Sequence, residues 1–89
     1  MEFISACRVA LKHFKREYGD TGLYSIKDIG DRWLFSGGDK NGTIFYGKMS
    51  ITVEKNGDKV DYFNLPDKHN FELLNHAKDV KVPEEFGIK

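Results

Sequence analysis

Cys7, His13, His69 and His76 are the side chains that would bind a transition metal or pair as nucleophile and base, and their spacing argues against both uses. His69 and His76 stand seven residues apart, which on one helical face separates them by about 10 Å of rise, too far to chelate one ion without a third ligand between them. Cys7 and His13, six apart, fall on opposite sides of a helix, so neither activates the other. The carboxylate pairs Asp28/Asp31 and Glu84/Glu85 have no apolar sequence neighbourhood to raise a pKa for acid–base work. They read as solvated turn and tail residues. The cluster Gly37-Gly38-Asp39-Lys40-Asn41-Gly42 lacks the following helix and the Gly-Lys-Ser/Thr ending of a phosphate loop, and Asp39 and Asn41 lack the distal Glu of a calcium loop. A loop between strands is its expected role. The expectation is therefore a chain that is not an enzyme and has no metal and no cofactor.

The 89 residues, 39% apolar and 13% aromatic, suit one compact domain spanning 1–89, with 79–89 expected as a frayed or edge-pairing tail. Fourteen basic and fourteen acidic groups cancel. No basic stripe of the kind that supplies phosphate affinity is visible, so nucleic acid is not an expected partner. Lys12, Lys15 and Arg16 form a basic helical face, read first as solvated and otherwise as contact for an anionic partner. The lone Cys7, the early charges Arg8, Lys12, Lys15 and Arg16, and the lack of a long apolar run predict a cytoplasmic protein with no membrane partner.

Phe3, Ile4, Cys7, Ala10, Leu11, Phe14 and Tyr18 recur at helical spacing, which predicts an amphipathic helix over 3–18 with Gly19 as its C-cap. Leu23 to Ile29 is expected to be a short strand, turned by Gly30-Asp31 into Arg32 to Ser36. Thr43 to Lys55 reads as one long strand with Phe45, Met49, Ile51 and Val53 on its apolar face, and Gly47 as a bulge. Pro66 ends the sheet region. Asp67 to Lys78 fits a second helix with Asp67 as N-cap and Phe71, Leu73 and Leu74 facing inward. The fold class is α+β: an N-terminal helix packed on a curved three- to four-stranded antiparallel meander, followed by a second helix.

Asn56-Gly57 sets the register of that meander. A type I′ turn at this dipeptide pairs Lys55 with Asp58, Glu54 with Lys59 and Val53 with Val60, and extends to Ile51 opposite Tyr62. Val60 and Tyr62 then join the core face. Ile44, Tyr46, Phe63 and Leu65 fall on the opposite face, with Lys48 and Asp61 as polar neighbours and Trp33 as a further member whose strand register is open. Either the second helix or the tail covers this group as a second core layer, or it is an exposed patch for a protein partner or a second copy.

Trp33-Leu34-Phe35, Tyr46-Gly47 through Ile51-Thr52-Val53-Glu54-Lys55-Asn56-Gly57, and Leu65-Pro66-Asp67 with Phe71-Glu72-Leu73-Leu74 resemble small bacterial immunity proteins of polymorphic toxin systems, in their cystatin-like group. The resemblance covers most of the chain. It implies a cystatin-like α-β4-α fold and a non-catalytic protein that neutralises a cognate toxin by binding it, here with the partner-binding set Ile44, Tyr46, Lys48, Asp61, Phe63, Leu65 and Trp33. Two alternatives remain: a small-ligand-binding or enzymatic domain with a pocket between helix and curved sheet, and a structural homodimer.

Overall fold

The computed structural model describes residues 1–39, 44–45, 50–63 and 68–88, with residues 44–45 and 69–71 described by their backbone. Helix α1 (Phe3–Tyr18) buries Ala6, Cys7, Ala10 and Phe14, the stripe that its periodicity marks. Lys15 and Arg16 occupy the last turn, where the helix dipole favours cations. Gly19 ends the helix with φ +83°, its N–H donating to the Lys15 carbonyl at 2.9 Å.

Strands β1 (Gly22–Asp28) and β2 (Arg32–Gly38) form a hairpin whose turn uses Gly30 at φ +107°. Then come β3 (Ile44–Phe45), β4 (Ile51–Glu54), β5 (Val60–Tyr62), helix α2 (Lys68–Asn75), β6 (Lys78–Val80) and a 3₁₀ turn at Glu84–Phe86. The sheet order is β5-β4-β2-β1-β6, with β3 paired to the end of β2 and every named pair antiparallel. The expected α+β arrangement is the observed one. Among the described residues the sheet is wider than a four-stranded meander, because the tail returns as β6 and pairs Val80 with Ile26. No helix among the described residues is long and apolar enough to cross a membrane.

Two expectations about strands need correction. The glycine cluster does not begin a loop at Gly37: β2 runs through Gly38, and Gly37 lies beneath Phe14, whose ring carbon a Cβ there would meet at 3.0 Å. Glycine here lets helix and sheet approach closely. Of the long strand expected over 43–55, the described residues show β3 and β4, in two registers on β2. Gly37 opposes Phe45 and Phe35 opposes Ile51, so β2 has one residue between these pairs where the other side has five, residues 46–50. The two ends therefore pair with β2 in different registers. Met49 and Gly47 lie outside the described residues.

The core has two layers. On the α1 side, Ala6, Cys7, Ala10 and Phe14 pack on Leu23, Ile26, Phe35, Ile51, Val53 and Phe86. On the other side, Ile29, Leu34 and Phe63 are buried with Leu73, Leu74 and Ala77 of the α2 region against them. The Phe71 side chain and Asp67 lie outside the described residues.

Candidate partner-binding surface

Strand β5 is built by the predicted register: Ile51 pairs with Tyr62, Thr52 with Asp61 and Val53 with Val60. The turn that joins it to β4 is not type I′, however. Among the described residues, positive φ occurs at Gly19 and Gly30, not at Asn56 or Gly57. Contacts from other elements hold this turn instead. Lys55 N–H donates to the Asp31 carbonyl at 3.0 Å, and the Met1 amino group donates to the Lys55 and Gly57 carbonyls at 2.7 and 2.6 Å. Lys55 Nζ reaches Asp28 at 2.8 Å and stands 5.6 Å from the centre of the Trp33 ring, so its ion pair is with Asp28 rather than the expected Asp58.

Because Val60 and Tyr62 alternate with Asp61, they share the face of Ile51 and Val53, and the sequence expectation places them in the core. They are exposed, at 38% and 58%. The reason is lateral reach. Helix α1 lies over β1, β2 and β4, and β5 is the sheet edge beyond it. His13 makes the contact between them, its ring edge-on to Tyr62 with centroids 5.5 Å apart. Val9, Lys12, His13, Arg16 and Val60 line a shallow cavity of about 240 Å³ along this seam.

His13 is the most constrained group in the seam. Arg16 Nη2 lies 3.3 Å from His13 Nδ1, and since guanidinium only donates, Nδ1 accepts and the neutral ring carries its hydrogen on Nε2. Nε2 is buried and meets no hydrogen-bond partner among the described residues. Burial, then the Arg16 charge, lowers the His13 pKa, so the imidazole stays neutral at ordinary pH. Burial and the neighbouring Tyr62 and Glu17 push the Tyr18 phenol up. The seam is thus an aromatic strip of Phe14, Tyr18, His13 and Tyr62, flanked by the cations Lys12 and Arg16, with Glu17 beside Arg16 at 3.6 Å.

Compared with family models, curated proteins and solved structures, the chain matches none.

The sequence-derived set does not assemble into one exposed patch. Phe63, expected on the outer face, is on that face but 2% exposed, beneath Leu73 and Leu74. Of the two roles open to it, the structure shows the covered layer. Trp33 pairs with Val53 and so faces α1, edge-on to Phe3 at 5.4 Å, opposite to Phe63. Asp61 is exposed, with its carboxylate 3.4 Å from Lys59 Nζ. The Ile44 side chain, Tyr46, Lys48 and Leu65 lie outside the described residues.

A larger groove of about 510 Å³ opens elsewhere, between the β1–β2 turn, α2 and β6, lined by Asp28, Ile29, Gly30, Glu72, Leu73, His76 and Lys78. Its carboxylate Asp28 already accepts from Lys55 and from the Gly30 N–H at 2.9 Å, which together hold it below the usual aspartate range. The space between α1 and the sheet, where a ligand pocket was the alternative expectation, is filled by Phe14, Phe35, Ile51 and Val53, none with measurable exposure above 1%. Cys7 lies in that packing, and burial, with Glu85 adding, pushes its thiol up to about 11, a poor nucleophile.

Sequence reasoning missed Val60 and Tyr62 because it assigns a residue to a face and not to a distance from the helix above that face. The part of the signal that was legible is the basic helical face at Lys12 and Arg16.

Proposed function

We propose that this chain is a non-catalytic protein-binding module of the cytoplasm, an immunity protein of the type its Trp33 strand and Val53-to-Gly57 hairpin resemble, and that it neutralises a cognate toxin by direct contact. The observation that carries the reading is the exposure of Val60 and Tyr62 on an edge strand, side by side with Lys12, His13 and Arg16. Tyrosine and arginine around an apolar centre are the residue types enriched where protein interfaces hold their binding energy. A lone cysteine, left as a free thiol, suits a reducing compartment.

The test is a binding titration between the purified chain and the polypeptide encoded immediately upstream of it. Tyr62→Glu is expected to weaken binding by about a hundredfold, as for a central interface anchor worth roughly 2–3 kcal/mol. Its thermal midpoint should stay within about 2 °C of the wild type, since surface substitutions cost little stability. Unchanged affinity in Tyr62→Glu would move the interface elsewhere, and a wild-type chain that ignores the upstream product would end the immunity reading.

A further inference from the structure

The two apolar side chains exposed on β5, Val60 and Tyr62, belong to the two residues whose backbone groups also point away from the sheet. Glu54 N–H donates to the Lys59 carbonyl at 3.1 Å and Phe63 N–H to the Ser50 carbonyl at 2.8 Å, which makes Lys59 and Phe63 inward-bonding positions. Antiparallel ladders alternate, so Asp61, opposite Thr52, also bonds inward, whereas the N–H and C=O of Val60 and Tyr62 are directed outward. Among the described residues no strand pairs with this edge. We propose that β5 is an augmentation site, at which an extended acidic segment of the partner protein pairs with Val60 and Tyr62 and lays its carboxylates along Lys12 and Arg16 of α1.

Three features select that occupant. A strand added at Val60 and Tyr62 extends the sheet face on which α1 lies, so its alternate side chains stand on the same side as Val60 and the cavity lined by Val9, Lys12, His13 and Arg16. Lys12 and Arg16 are exposed cations there, and since Glu17 pairs with Arg16 the cationic excess of the three rests on Lys12. A second copy of this chain fits poorly. Two antiparallel β5 strands that exchange bonds between Val60 and Tyr62 place Asp61 directly against Asp61 and bring two basic α1 faces together, and like charges across a ladder are destabilising. The short edge, with charged Lys59 and Asp61 on its other face, also discourages indiscriminate pairing.

This inference rests on the binding-module reading, and peptides separate the two. The probes are a synthetic peptide of about ten residues alternating Glu and Val, and its Lys/Val counterpart, titrated into the full chain at low salt. The Glu/Val peptide is expected to bind at least about tenfold more tightly than the Lys/Val one, and Lys12→Glu with Arg16→Glu to reverse the order. Val60→Pro removes an outward N–H that the internal ladder does not use, whereas Val60→Ala keeps it and trims the side chain. Pairing predicts a loss of about tenfold or more for Val60→Pro and less than about threefold for Val60→Ala, with hydrogen-exchange protection of the Val60 and Tyr62 amides on binding. No binding by either peptide, equal binding of both, equal losses in the two Val60 variants, or a concentration-dependent dimer of the free chain would each overturn the proposal. A chain that leaves both peptides unbound yet still binds the upstream product in a Tyr62-dependent way loses strand pairing and keeps the module. Failure in both assays removes both.

Discussion

Asp28 and Lys55 show how a residue's partner is set by geometry that local spacing does not contain. The hairpin spacing pairs Lys55 with Asp58, but the folded chain brings Asp28 within 2.8 Å of its ammonium. The Lys55 hydrogen bond and the Gly30 N–H favour the charged carboxylate, so the folded pKa of Asp28 lies below the unfolded one. The sign follows: this stabilisation is complete above about pH 4 and is lost as pH falls through the folded pKa. Lys55→Met is expected to cost about 0.5–1 kcal/mol at neutral pH, because the pair is partly solvated, and progressively less toward pH 2 in urea denaturation. A cost independent of pH would place the contribution of Lys55 in its packing on Trp33. Gly57 gives a second residue-scale prediction. With no positive φ to support, Gly57→Ala should stabilise by about 0.4–1 kcal/mol by restricting the unfolded chain. The Glu54 carboxylate, 2.6 Å from the added Cβ, is the free end of a flexible side chain and can swing aside. A loss of more than about 1 kcal/mol would restore the type I′ turn.

At the scale of elements, the two helices divide the sheet unevenly, and this decides which apolar residues are core. Helix α1 spans the central strands and stops short of β5, while the α2 region covers Ile29, Leu34 and Phe63 on the opposite face. Phe63→Ala should therefore cost about 3–5 kcal/mol, the range for emptying a buried aromatic site. Tyr62→Ala, one residue away, should cost less than about 1 kcal/mol. Comparing the two chemical-denaturation midpoints is the check, and similar losses would mean that β5 is packed on both faces. Helix α1 was fully legible, since its 3.6-residue stripe is long and its Gly19 stop clear. The two registers of Phe45 and Ile51 on β2 were not legible, because a period-two pattern assigns faces and not partners.

For the whole molecule, zero net charge conceals a local separation of charge. The basic groups of α1 stand beside the exposed edge of the sheet, so a neutral chain presents a local cationic, aromatic seam. The same sheet returns through the tail, where β6 pairs with β1 and Phe86 is 6% exposed against the α1 layer. Val80 and Val82 hinted at that return, but not which edge it would join.

Periodicity and the spacing of turn residues determined the identity of α1, the β1–β2 hairpin, the β4–β5 register and the α+β class, because each depends on residues within a few positions of one another. The tertiary structure alone decided which face was covered and how far. Coverage depends on the width of a helix against the width of a sheet, and on where the α2 segment docks on the opposite face. That docking chose the covered role for Phe63, which alternation had left open, and the reach of α1 left Tyr62 at the edge, where alternation implies core.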